Sequence, residues 1–589
     1  KTKTRSAIGD LEININGCKT ILKDDELKAE ALNEYFASIF TVEPQDDFIE
    51  LPRVNCDCEM NSIDIKYEVI VTKLQKLKVD KSPGPDGIHP RVLKELATLI
   101  AQPLRHIFQI SLDSGIIPED WCSSNITAIF KKGKRSSMGN YRPVSLTSVV
   151  CKVYESIVRD HMMNYFVQNK LFSTKQFGFI KGRSTVLQLL KILDQWTELL
   201  DEGGHIEAIY TDFEKAFDKV PHKRLLSKLR SYGVRPELIR WIEGFLVHRQ
   251  QRTGVRGHFS GWTKVLSGIP QGSVLGPLLF IIYINDLPDM LGGETYLFAD
   301  DAKIFKHIKS EQDVQDLQQT CDALQHWSDR WLLKLNVSKC MMIPISAGAG
   351  GSGSTYRLVK EGKVENLQTV NKVRDLGITV DSRLSFKDHI HDKVNKAYSM
   401  LVVIRRNFKH VDKDTFVVIY KSMVRSQLEY ANSVWNPHHV GLIETLEKVQ
   451  KRATKMVYAC KGMAYSDRLK YLKLPTLVYR RHRGDMIEVY KILHGLYDQE
   501  AGLVLERNEQ GKTRGHSLKL KTKRSRYDIR KFSFSVRIVS LWNSLEEQTV
   551  NADSLNSFKN RLDRFWANQD ILYDWKAKLT GAGIRSLDI

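Results

Sequence analysis

The sequence predicts an α+β fold. Short apolar runs alternate with helical patterns without a strict βαβ repeat, a long amphipathic helix is legible over residues 313–333, and helical periodicity runs on through residues 389–494. At 589 residues, with 42% hydrophobic and 27% charged residues, the chain has the composition of a packed protein of several domains.

Taken in order, the first helix is expected over residues 25–40, with Leu27, Ala31, Leu32, Tyr35 and Phe36 on one face. An acidic loop follows over residues 43–58. Ser82-Pro83-Gly84-Pro85-Asp86-Gly87 is turn punctuation, and it precedes helices through Leu112 and a strand over residues 125–130. A helix is expected over residues 188–200. Strands are expected over residues 206–211, 263–266, and 295–298 leading into 303–305. The 313–333 helix turns Leu317, Cys321, Leu324, Trp327 and Trp331 inward at helical spacing. Residues 347–354 (AGAGGSGS) cannot build a core and read as a flexible tether. A strand pair over residues 369–381 then leads into the helical run, and no internal repeat is evident.

The charge balance narrows the function classes. Lys and Arg number 89 against 69 Asp and Glu, a net of +20. A polyanionic partner rewards that excess, because each neutralised phosphate releases condensed counterions. The segment over residues 506–531 is the most basic, with ten Lys/Arg against three acids, interleaved with His516, Tyr527 and Phe532. Backbone contact plus stacking is one reading of it, a solvated face the other. The eight cysteines are scattered; only Cys56 and Cys58 are close, and no set offers four zinc ligands. A reduced, intracellular compartment fits. No apolar run approaches the roughly 18 residues of a membrane span, and no signal peptide opens the chain. It begins at Lys1 rather than Met, so a fragment or processed product is expected.

Three pieces carry chemistry. Phe298-Ala299-Asp300-Asp301 lies between two apolar strands, so adjacent carboxylates sit at a hairpin tip where they repel one another. A divalent cation would resolve that conflict, although Asp-Asp turns are common. In Tyr210-Thr211-Asp212-Phe213-Glu214-Lys215-Ala216-Phe217-Asp218, Asp212 ends an apolar strand just before a helix, where an N-cap is the bland alternative. If the three acids converge they can hold two Mg2+ for phosphoryl transfer. Between them, Ser267-Gly268-Ile269-Pro270-Gln271-Gly272-Ser273 allows close backbone approach to a ligand, with Gln271 able to bond a sugar or base. Alone, that piece is a turn before a helix.

In this order and spacing the series resembles the reverse transcriptases of LINE-type, non-LTR retrotransposons, nearest the jockey-like group. The resemblance covers nearly the whole chain. It also includes Lys81-Ser82-Pro83-Gly84-Pro85-Asp86-Gly87, Asn140-Tyr141-Arg142-Pro143-Val144-Ser145-Leu146, Gln176-Phe177-Gly178-Phe179 with Gly182-Arg183-Ser184-Thr185, Leu335-Asn336-Val337-Ser338-Lys339 and Leu376-Gly377-Ile378.

The resemblance implies a right-hand polymerase that extends a primer 3′-hydroxyl with dNTPs on an RNA template, in target-primed reverse transcription. Asp212, Asp300 and Asp301 match the metal-binding carboxylates, for two Mg2+ with Mn2+ as the alternative ion. Phe217 matches the residue beneath the incoming sugar, whose bulk excludes a 2′-hydroxyl. Gln271 matches the residue beside the nucleotide's sugar and base. Arg142 matches a fingers arginine against base and phosphates, and Lys131 or Lys132 its partner at the outer phosphates. Lys339 matches the residue proposed to protonate departing pyrophosphate. The expected units are an N-terminal extension (1–60), fingers with part of the palm (61–205), palm (206–384), helical thumb (385–500) and a basic C-terminal nucleic-acid-binding domain (501–589). The thumb candidate is the helix over residues 443–458, with Lys448, Lys451, Arg452 and Lys455 along a duplex backbone.

Implied partners are template RNA, primer or target DNA, dNTPs and an element-RNA ribonucleoprotein, with no membrane. Synthesis is expected in the nucleus and the ribonucleoprotein in the cytoplasm. The chain departs from full-length relatives in having no endonuclease region, Cys/His knuckle or RNase H carboxylate set, so DNA nicking by this polypeptide is not expected. Phe298 stands where many such polymerases have Tyr. The rivals are an RNA-dependent RNA polymerase, which Phe217 argues against, a domesticated binding protein, which the intact acid triad argues against, and a group II intron maturase, whose maturase region is not found.

Overall fold

The structure is a computed structural model; it describes residues 8–580 apart from 16–17, 45–48, 55–58, 349–353, 409 and 509–514. Cys56, Cys58 and most of the Gly/Ser stretch therefore lie outside the described residues. The elements that position the site are, in chain order, α1 (Asp25–Ala37), β1 (Ser123–Phe130), β2 (Tyr141–Leu146), α2 (Thr185–Asp201), β3 (His205–Thr211), α3 (Ala216–Lys219), β4 (Gln250–Val255), α4 (Gly276–Tyr283), β5 (Glu294–Phe298) and β6 (Asp301–Ile308). They continue with α5 (Glu311–Arg330), β7 (Met341–Ser346), β8 (Gln368–Thr369), β9 (Lys372–Asp375), β10 (Ile378–Asp381), α6 (Lys387–Asn407), α7 (Val440–Thr454), α8 (Leu477–Leu493), α9 (Phe534–Asn543) and α10 (Leu555–Phe565).

The fold is mixed, as expected. A central sheet runs in the order β8-β7-β3-β6-β5, with β3 antiparallel to both β6 and β7. Ile206 and Ala208 of β3 face one apolar core while Ile209 faces another, the alternation of a strand buried on both sides. One core takes α4 and α5, with Leu317, Cys321, Leu324, Trp327 and Trp331 all buried as their spacing predicts. The other takes α2, α6, α7 and α8.

The C-terminal segment shares this second core. Ala501, Leu503, Ile538, Trp542, Phe558 and Leu562 pack with Leu446, Val449, Met486 and Val489. Arg530, in the basic tail, is buried with its guanidinium on Asp194 at 2.6 Å and Glu198 at 3.3 Å. The region expected as a separate unit from residue 501 is thus continuous in packing with the helices before it.

A second sheet runs in the order β2-β1-β4. β2 and β4 are strands beyond those expected from apolar runs. β2 carries Pro143, which an edge strand accommodates. In β4 the buried residues Gln251 and Thr253 are polar, so hydrophobic patterning does not announce the strand. The expected strand over 263–266 shrinks to Thr263–Lys264 and pairs with β4. The face expected for α1 also needs correction. Leu27 is 56% exposed, and the buried stripe is Ala29, Leu32, Asn33 and Phe36. The reason is polar: Asn33 Nδ2 donates to Thr263 Oγ1 at 2.9 Å and its Oδ1 accepts from Thr253 Oγ1 at 3.2 Å, which turns Asn33 inward against β4.

Candidate active site

β5 and β6 meet across Phe298 and Asp301, leaving Ala299 and Asp300 as the two-residue turn. Ala299 adopts φ 55°, a left-handed conformation in which a small side chain is an advantage. The turn is held from outside by Gln176. Its Oε1 accepts from Ala299 N–H at 2.9 Å and from Gly178 N–H at 2.8 Å, while Phe177 N–H donates to Leu297 O at 2.8 Å. A Cβ on Gly178 would lie 2.5 Å from Ala299 N, so only glycine permits this approach. The Gln176-Phe177-Gly178 motif is therefore a brace for the acidic hairpin. Its role was invisible in the sequence because the two segments are over 120 residues apart.

β3 brings in the third acid. The pairing of β6 with β3 ends at Ala302 and Thr211, so Asp301 and Asp212 are the next residue beyond it on either strand. The turn at Asn336–Lys339 grips Asp212 at both ends: Asn336 N–H donates to its carbonyl at 2.7 Å, and Lys339 Nζ meets its carboxylate at 2.5 Å. Asp212, Asp300 and Asp301 thus lie at neighbouring strand ends, near enough to feel one another's charge, and Lys339 pairs with the first of them.

Burial raises both hairpin acids above the usual carboxylate range. For Asp300 the charge of Asp212 adds to desolvation. Asp301 is pushed up to about 6 by burial and then by Asp300, Asp212 and Asp375. Asp375 belongs to a buried ion pair beneath the hairpin that sequence reading did not find. Lys303, two residues along β6 from Asp301, pairs with Asp375, which also accepts from Tyr210 hydroxyl at 3.2 Å.

With Lys339 on Asp212, no three His, Cys, Asp or Glu side chains among the described residues converge as they stand to hold a metal ion. The donor set nevertheless suits a hard divalent cation: three carboxylates, two of them with their ionisation made less favourable by burial and neighbouring acids, and the third paired with an ammonium.

The basic candidates arrive from the β1–β2 hairpin. Ile129 pairs with Arg142, and Lys131 N–H donates to Asn140 O at 2.8 Å. Arg142, Lys131 and Lys132 are exposed. The charges of Lys131 and Arg142 act on Asp300, and burial followed by repulsion from Arg142 and Lys339 holds Lys131 below its usual range. Phe217, on α3, stacks on Phe280 of α4 with ring centroids 4.5 Å apart. Gln271 reaches α3 as well, its Nε2 donating to Asp218 Oδ1 at 2.8 Å.

The outlying basic surfaces are partly engaged. On α7, Lys448 pairs with Glu444 at 3.3 Å and Arg452 lies over Tyr398. In the tail, Lys521 and Lys523 meet Glu506 at 3.4 and 2.8 Å. Two of the three aromatic positions are engaged in packing, His516 buried against the Trp542 carbonyl and Phe532 stacked on His438 at 4.1 Å, while Tyr527 is exposed. No helix among the described residues is long and apolar enough to cross a membrane.

Residues 129–380 match the family model "Reverse transcriptase (RNA-dependent DNA polymerase)". The chain is 28% identical over 415 residues to the probable RNA-directed DNA polymerase from transposon BS of Drosophila melanogaster, covering 67% of this chain and 45% of that one. It is 27% identical over 487 residues to the RNA-directed DNA polymerase from mobile element jockey of the same fly, covering 78% and 51%. Against the probable RNA-directed DNA polymerase from transposon X-element it is 27% identical over 494 residues, covering 79% and 52%. The chain spans about half the length of these curated relatives. The acid triad, its braces and the basic hairpin stand within or at the edge of the residues that match the reverse transcriptase model, and over most of its length the chain is similar to RNA-directed DNA polymerases of jockey and related mobile elements.

Proposed function

We propose that this chain is an RNA-directed DNA polymerase that extends a primer 3′-hydroxyl with dNTPs on an RNA template, in target-primed reverse transcription. The observation that carries the reading is the placement of Asp212, Asp300 and Asp301 at neighbouring strand ends, near enough that their charges repel one another, with Lys339 paired to Asp212. Asp212, Asp300 and Asp301 are the residues that would hold two Mg2+, with Mn2+ as an alternative. Bound there, the metal supplies activation of the primer hydroxyl and charge stabilisation at the leaving pyrophosphate.

The chain's own residues do the rest. Arg142, with Lys131 and Lys132, offers cationic donors to the triphosphate. Phe217, backed by Phe280, sets the floor beneath the sugar and excludes a 2′-hydroxyl by overlap. Lys339, here paired with Asp212, would give a proton to departing pyrophosphate. In this reading the β3–β5–β6–β7 sheet is the palm, the β1–β2 region belongs to the fingers, and the helices from α6 to α8 form the thumb, with the segment from residue 501 packed into the same core. Element RNA and target DNA are the partners, which puts the synthesis step in the nucleus and the ribonucleoprotein in the cytoplasm.

The test is primer extension on RNA and DNA templates with dNTPs or NTPs. Asp212→Ala and Asp300→Ala are expected to abolish extension while leaving template binding nearly intact. Substantial residual polymerisation by either variant refutes the assignment.

A further inference from the structure

Asp218 follows Phe217 directly and has no part in the chemistry described so far. Its carboxylate accepts the Gln271 Nε2–H bond at 2.8 Å, and its carbonyl accepts from Ser267 Oγ at 2.9 Å. Two backbone bonds join the same segments: Gly268 N–H to Val220 O at 2.8 Å and Ile269 N–H to Phe217 O at 2.7 Å. Gly268 has φ 86°, and a Cβ there would lie 2.5 Å from the Asp218 carbonyl oxygen. From the other side, Ser145 N–H donates to the Gln271 carbonyl at 2.7 Å. The backbone of Gln271 is pinned by one neighbour and its side chain by another.

We propose that Asp218 is a positioning residue that decides which way round the Gln271 amide sits. An ionised carboxylate can only accept hydrogen bonds, so it fixes the NH2 end of the amide toward itself. The Oε1 end is then directed away from Asp218, and Gln271 meets the nucleotide as an acceptor that recognises a hydrogen-bond donor. Without this partner an amide has two nearly equivalent orientations, only one of which presents Oε1. Burial pushes Asp218 up to about 6, while Gln271, Lys215 and Arg142 favour its charged form, so it remains mostly ionised at neutral pH. The inference rests on the reading of Gln271 as a nucleotide contact.

The test is a double-mutant cycle in steady-state primer extension. Asp218→Leu keeps the branching of the side chain, with methyl groups in place of the oxygens, and removes the acceptor; it is expected to raise KM for dNTP about tenfold, the loss of one charge-assisted hydrogen bond, with kcat within about threefold. In a Gln271→Ala background the same substitution is expected to leave KM unchanged, because there is no amide left to orient. Asp218→Asn provides a second variant if the leucine protein does not fold. It can pair with Gln271 in either orientation and is expected to raise KM by a smaller factor, again only when Gln271 is present. An equal KM change in both backgrounds overturns the positioning role while leaving the polymerase reading intact. A wild-type chain that extends no primer overturns both.

Discussion

Replacing Asp301 by Asn is expected to stabilise the metal-free protein while removing its activity. The carboxyl of Asp301 stands at about 6 against an ordinary 3.8, because burial and the charges of Asp300, Asp212 and Asp375 all oppose its ionisation. At about 1.4 kcal/mol per pH unit, that displacement corresponds to about 3 kcal/mol held against the folded state at neutral pH. Asp301 is partly exposed, and solvent screening reduces the figure to about 1 kcal/mol. The folded chain binds the extra proton, so the penalty is fully present above about 6 and is relieved as the pH falls from there toward 3.8. Asparagine has the same shape without the charge. In EDTA at pH 7.5, thermal unfolding of Asp301→Asn is expected about 1 °C above wild type, and the gap is expected to close as the pH is lowered toward 4. Adding Mg2+ should raise the wild-type midpoint more than that of the variant. A variant midpoint equal to or below that of wild type in EDTA would refute the reasoning.

Three further outcomes are expected. Phe217→Ala opens the floor beneath the sugar, so the ratio of kcat/KM for dNTP over NTP should fall by about tenfold or more; an unchanged ratio would place the gate elsewhere. Gln176→Leu strands the buried Ala299 and Gly178 N–H groups at a cost of about 1–3 kcal/mol, and kcat should fall with little change in template affinity; wild-type kcat would show that the hairpin needs no brace. In the basic tail, Arg524→Gln should lower the log–log salt slope of duplex binding by about 0.9, whereas Arg530→Gln, which takes the guanidinium from Asp194 and leaves Glu198 with Lys523 alone, should lower the melting temperature and leave the slope unchanged. Reversal of that pair would make Arg530 the nucleic-acid contact.

What the sequence determined by itself is what short-range chemistry writes into adjacent residues. Two carboxylates at a hairpin tip, an acid at a strand end, a glycine-flanked glutamine and an inward stripe from Leu317 to Trp331 can each be read within one element, because strand alternation and helical periodicity are local. What joins these pieces is not local. Gln176 on the hairpin, Asp375 beneath Asp301, Asp218 on Gln271 and Arg530 on Asp194 link residues dozens to hundreds of positions apart. A single polar side chain carries no signal of a distant partner, and a buried Asn33 or Thr253 reads as surface until the fold supplies its hydrogen bond. The same holds for charge: the basic tail looks like one nucleic-acid-binding stripe until packing commits Arg530 to the interior and leaves Arg524 at the surface. Local pattern identified the chemistry; only tertiary packing decided which groups orient it, because desolvation and long-range hydrogen bonds exist only once the chain has folded.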